Sequence, residues 1–126
     1  MFTSKGKLKY YGIDKVVLLI DLDIVNYYYK LIPLYLPKQR QKWFGKITVV
    51  RTGVERPNHK FWRKYENEIV EFNYGTLYED NDYYLLPAYS TRLCNIRMEM
   101  GLPAYRKPYR NFHITIANKK HVKDNE

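Results

Sequence analysis

The sequence predicts a single α+β domain, with a largely antiparallel curved sheet that forms a central cleft flanked by helices. Three observations lead there. Short period-two runs are bounded by turn residues, only two longer stretches carry helical spacing with caps, and the two kinds of segment alternate irregularly. A chain of 126 residues falls within the size of one domain and can bury a core without staples. Hydrophobic residues make up 45% and charged residues 28%, which suits a folded chain. The domain is expected over 1–118, with a charged, flexible tail over 119–126.

The first elements are a hairpin and a helix. Lys7 to Tyr11 and Val16 to Asp21 read as strands joined by a turn at Gly12, Ile13 and Asp14. Asp23 is placed to cap a helix running to about Ile32, where Pro33 removes a backbone donor. Its expected apolar face is Ile24, Tyr27, Tyr28, Leu31 and Ile32. After a basic segment from Pro37 to Lys42, Trp43 and Gly45 lead into an alternating strand, Lys46 to Arg51.

Pro57 and Asn58 open a loop before a short helix expected over Lys60 to Tyr65. A strand follows over Glu68 to Tyr74. Tyr83 to Tyr89 is a further strand that Pro87 pushes toward an edge or a bulge. Ser90 then caps a helix whose core face is Leu93, Ile96 and Met100, with Gly101 as its stop. Leu102 to Arg110 is a basic, aromatic loop leading into a last strand, Phe112 to Ala117.

Composition narrows the function classes. The longest apolar run, Val16 to Ile20, is far short of the about 20 residues that cross a bilayer, and the N-terminus lacks the apolar core of a signal peptide. A soluble, cytoplasmic protein without membrane contact is expected. Cys94 is the only cysteine and no Cys/His spacing suits zinc, so neither a disulfide nor a metal nor another cofactor is indicated. The net charge of +9 attracts anions, and 14 tyrosines offer rings for stacking on bases. A coding bias toward Lys, Tyr and Asn gives the same composition.

Chemistry concentrates in two strands. Along Phe112 to Ala117, Phe112, Ile114 and Ile116 share one face, while His113, Thr115 and Ala117 share the other. Along Lys46 to Arg51, Ile47 and Val49 share one face, and Lys46, Thr48 and Val50 the other. Cleaving a phosphodiester needs one group to accept a proton, another to donate one, and donors that hold the phosphate oxygens. Histidine, with an ordinary pKa of about 6.5, serves either proton role, and threonine supplies a hydroxyl from the same face.

The pair His113 and Thr115 resembles the second H-x-T motif of the two-histidine (2H) phosphoesterases. Lys46 and Thr48 resemble a degenerate first motif. From Trp43 to Asn118 the order of segments is similar to the phage anti-CBASS branch of that family, whose members destroy cyclic oligonucleotide immune signals. The resemblance implies a metal-independent phosphodiesterase of viral origin acting in the host cytoplasm on a cyclic nucleotide or oligonucleotide. Its catalytic residues would be His113, Lys46, Thr48 and Thr115. Lys46 stands where the family has histidine, and a lysine of ordinary pKa, about 10.4, is a poor base. It can donate a proton, act as a fixed charge, or leave a nucleotide sponge that binds without cleaving.

The expected ligand-binding residues are Arg51, at the end of the first motif strand, Tyr105, Arg106 and Tyr109, with Tyr11 and Trp62 as stacking rings. Lys107 and Arg110 flank the same loop. His59 and His121 are alternatives for the missing imidazole. Asp21 and Asp23 lack the glycine and threonine of a phosphotransfer motif, and a helix cap explains Asp23 better. An RNA-binding module using the basic aromatic surface is the remaining class.

Overall fold

The computed structural model describes residues 1–43 and 45–119. Seven strands and two helices follow in order: β1 (Phe2–Tyr11), β2 (Lys15–Leu19), α1 (Leu22–Leu31), β3 (Lys46–Val50), β4 (Ile69–Tyr74), β5 (Tyr78–Glu79), β6 (Tyr83–Tyr89), α2 (Thr91–Glu99) and β7 (Phe112–Asn118). All pairings are antiparallel. The sheet runs β4-β1-β2-β3-β7-β6, and β4 also pairs with β6. The expected curved sheet therefore closes into a six-stranded barrel, with β5 on the edge of β6 beside β4.

Closure depends on a length of strand that periodicity does not reveal. β1 starts at Phe2 rather than Lys7. Phe2 to Lys7 pairs with β4, and Lys7 to Tyr11 pairs with β2 in the expected hairpin. Gly6 lies at this handover. A Cβ there would clash with the Leu19 carbonyl oxygen, so only glycine lets the two backbones approach.

The chain order is ββαβ twice, with β5 inserted in the second copy, and the barrel has a matching pseudo-two-fold. Exchanging β1 with β4, β2 with β6 and β3 with β7 maps the ring onto itself. The match extends to irregularities. Val16 opposes Val50 and Val17 opposes Thr48, which leaves Val49 as an extra residue. Tyr84 opposes Ala117 and Leu85 opposes Thr115, which leaves Ile116 as its counterpart. Each bulge turns the next side chain inward, so Val50 and Ala117 are fully buried instead of sharing the open face with the threonines.

α2 follows its expected cap and face, and α1 departs from both. Ser90 accepts a hydrogen bond from the Leu93 amide at 3.2 Å, and Leu93, Ile96 and Met100 are buried as expected. Gly101 has φ +77°, the left-handed conformation that ends α2. In α1 the cap is Asp21, not Asp23, because β2 ends at Leu19. Asp21 Oδ1 accepts from the Asp23 amide at 2.9 Å, which puts Asp23 in the first helical turn. Val25 is the fully buried residue of α1, whereas Tyr27 and Leu31 are 61% and 54% exposed.

The helix expected at Lys60 to Tyr65 is a 3-10 turn over His59–Phe61 only. Positive φ at Arg63 and Asn67 prevents its continuation. Pro87 lies within the sheet. Its carbonyl accepts from Gly75, so its nitrogen faces the same side, into the gap between the β4 and β5 pairings. Lys119, assigned to the tail, bonds through its amide to the Asp82 carbonyl and through Nζ to Glu79 and the Asp80 carbonyl. No helix among the described residues is long and apolar enough to cross a membrane.

Candidate functional site

β3 and β7 meet at Ile47 and Ile114, both fully buried. Carrying that antiparallel register one residue either way sets Lys46 opposite Thr115 and Thr48 opposite His113. Lys46 and His113 then sit on one diagonal and the two threonines on the other, farther apart than directly opposed residues. The pseudo-two-fold passes between Ile47 and Ile114, so it exchanges Lys46 with His113 and Thr48 with Thr115. The burial patterns agree residue for residue: Lys46 to Val50 and His113 to Ala117 both alternate half-buried and buried before ending on two buried residues.

The four side chains line one cleft of about 400 Å³. Arg51, Arg106 and Tyr109 join them there, as expected from their positions beside the motif strands. Lys46 Nζ donates to Thr48 Oγ1 at 3.3 Å, which leaves the threonine's own proton free for a ligand. His113 packs at a tilt against Tyr109, with centroids 5.1 Å apart, and its Nδ1 is buried without a hydrogen-bond partner. Arg106 lies 5.0 Å from the Tyr109 ring centroid.

Burial and crowding of like charges govern the electrostatics. Burial holds the Lys46 ammonium below its usual pKa, and the cations of Lys15 and Arg51 push it further the same way. Burial also lowers His113. Arg106 reinforces that shift, Asp80 opposes it, and Arg51 and Lys46 add to it. The histidine is thus held neutral at neutral pH, and the lysine is a stronger acid than an exposed one.

Several lining residues escape the sequence reading. Lys15 comes from β2, and its Nζ sits 3.8 Å from the ring centroid of Trp43, which is 41% exposed. Asp80 comes from the turn before β6. Its Oδ1 is held by the amides of Asp82 and Tyr83. Glu55 and Arg97 form a buried ion pair in the cleft wall, at 2.6 Å. Trp43 was within reach of inspection, because it ends the basic segment before the motif strand. The others are brought in by pairings distant in sequence.

Three expected ligand residues lie elsewhere. Trp62 stacks edge-on against Tyr10, at 5.0 Å, and donates from Nε1 to the Gly12 carbonyl at 3.0 Å, which makes it packing for the hairpin turn. Tyr105 packs against Phe112 at 5.2 Å and lines a separate hollow with Cys94 and Met98. A hydrogen bond with Cys94 and burial push its hydroxyl up to about 12. Tyr11 is outside the cleft lining and meets it through Trp43, edge-on at 5.5 Å, and Lys15, whose Nζ lies 5.7 Å from the Tyr11 ring centroid. Lys107 and Arg110 are not among the lining residues either.

His59 bonds to the Ile13 carbonyl and packs on Trp62, so it does not replace an imidazole in the cleft. His121 lies outside the described residues. No known protein family, curated protein or solved structure matches the chain.

Proposed function

We propose that the cleft binds and hydrolyses a nucleotide phosphodiester by proton transfer between His113 and Lys46. The observation that carries this reading is the two-fold-related pair of strands, which sets a neutral imidazole and an acidified ammonium diagonally across a space flanked by two threonine hydroxyls. His113 accepts the proton of the attacking oxygen. Lys46, on the far side of the phosphorus, donates to the leaving oxygen. Thr48 and Thr115 donate to the nonbridging oxygens, and Arg51 and Arg106 offset the charge that develops on them.

The inequality of the two groups gives the cleft a direction. In a site with two imidazoles either could begin as base. Here the lysine begins protonated and the histidine neutral, so attack comes from the His113 side. The finer assignment, to the two-histidine phosphoesterases, is supported by the duplicated ββαβ order and the matched bulges, and it makes cyclic oligonucleotides the first substrates to test. The protein would then be a viral counter-defence factor.

The test is incubation with a panel of cyclic di- and trinucleotides in EDTA, with linear RNA as a comparison. Turnover of a cyclic ligand is expected, and His113→Ala should lower it by about 10²–10⁴. No turnover and no binding by either protein would sink the proposal. Lys46 also favours a second reading, a sponge that binds without cleaving. Recovery of intact ligand from a stoichiometric complex would establish it, and consumption of excess ligand would dismiss it. Strong salt-dependent binding of linear RNA, with none of the cyclic ligands, would instead indicate an RNA-binding module.

A further inference from the structure

We propose that Arg97 and Glu55 are a positioning pair that holds Arg51 at the phosphate seat between Lys46 and His113. This rests on the phosphodiester reading of the cleft. Arg97 is 1% exposed although it comes from α2, and its guanidinium makes four hydrogen bonds. Nη1 donates to the Val49 carbonyl at 2.6 Å and to Glu55 Oε1 at 2.8 Å. Nη2 donates to Glu55 Oε2 at 2.6 Å, and Nε to the Pro103 carbonyl at 2.8 Å.

Each of those partners belongs to a segment that carries a cleft residue. Val49 is the bulge residue after Thr48. Glu55 closes the turn that begins at Arg51: its Oε1 accepts from the Arg51 amide at 3.2 Å, and its own amide donates to the Arg51 carbonyl at 3.1 Å. Pro103 opens the loop that supplies Arg106 and Tyr109. One buried side chain thus joins both walls of the cleft.

A fork of this kind is a weak way to stabilise a fold, since an apolar side chain of similar volume fills such a site about as well. It is a strong way to fix geometry, because bidentate pairing leaves little freedom in either partner. Burial pushes the Glu55 carboxyl up, but the hydrogen bonds from Arg97 and the Arg51 amide, with the charges of Arg97 and Arg106, hold it below its usual value. It stays ionised. The arrangement is also one-sided. Counted from the caps Asp21 and Ser90, Arg97 corresponds to Tyr28 of α1, so the pair is not a product of the internal duplication. It serves the turn after β3, where Arg51 sits within electrostatic reach of both Lys46 and His113.

A double-mutant cycle between positions 51 and 55 tests this, read as affinity for the single-phosphodiester probe thymidylyl-3′,5′-thymidine by NMR titration at low salt. Arg51→Ala should weaken binding about 10-fold or more, the scale of a charge-assisted hydrogen bond. Glu55→Gln should weaken it several-fold alone and not at all in the Arg51→Ala background. Additive losses would overturn the inference while leaving the cleft reading intact. Absence of probe binding to the wild-type protein would overturn both. If Glu55→Gln does not fold, Arg97→Lys, which keeps the charge and loses the fork, takes its place in the same cycle with the same expected outcomes.

Discussion

At the scale of single residues, the cleft depends on two groups pushed in the same direction. Burial is the largest cause for both Lys46 and His113, and neighbouring cations add to it. On the proposed phosphodiesterase reading, the acidic limb of a kcat/KM profile should therefore fall below the histidine's ordinary 6.5, and the alkaline limb below the lysine's ordinary 10.5. Lys46→His should draw the alkaline limb down toward neutrality, and a stopped assay across pH would show it. An unmoved limb would mean that Lys46 is not the acid. The same shift has a sign in stability. A folded His113 below its unfolded pKa binds fewer protons than the unfolded chain, so its contribution weakens as pH falls through 6.5 toward the folded value.

His113, Thr115, Lys46 and Thr48 could be read in advance because strand alternation needs no partner to be known. Arg51, Arg106 and Tyr109 followed from adjacency along the chain. Lys15 and Asp80 could not be read this way, since each enters the cleft through the pairing of a different strand. Trp62 had two readings, a stacking ring or, from its helical spacing to Tyr65, core packing, and it lies outside the cleft. Its ring packs on Tyr10 and its Nε1 donates to the Gly12 carbonyl, neither of which the local sequence nominates.

At the scale of elements, α2 was legible in its cap, face and stop, whereas α1 departed from expectation in both cap and face. Ser90 and Gly101 bound α2 because capping is a contact between near neighbours. Tyr27 and Leu31 of α1 stay exposed because the burial of a stripe depends on what lies opposite it. β1 shows the same division. Its second half alternates visibly, and its first half is a strand because β4 is available to pair with it. Gly6→Ala should cost about 1–3 kcal/mol in denaturant unfolding, since the added methyl meets backbone at the β1–β2 approach. A neutral result would mean that the approach can relax.

At the scale of the whole molecule, the barrel is unevenly knit. β1 and β4 pair along Phe2 to Lys7, whereas β4 joins β6 only at Asn73–Tyr89 and Tyr74–Ala88. β3 joins β7 at Ile47–Ile114, beside the cleft. Native-state hydrogen exchange should open the β4–β6 and β3–β7 joins before the β1–β4 and β6–β7 ladders. Uniform protection around the ring would contradict this.

Local order in the chain was enough to determine the α+β class, the hairpin, the second helix with both its ends, and the pair of strands that present His113-x-Thr115 and Lys46-x-Thr48. Those features arise from alternation, capping and backbone conformation, whose causes lie within a few residues. The tertiary structure decided that the sheet closes, that the two halves of the chain repeat one topology, that matched bulges turn Val50 and Ala117 inward, and that Arg97 reaches under the cleft to Glu55. Each of these depends on which distant segments share a hydrogen bond or a buried surface. A pattern of residue types states what a segment can present; long-range pairing determines what it is presented to.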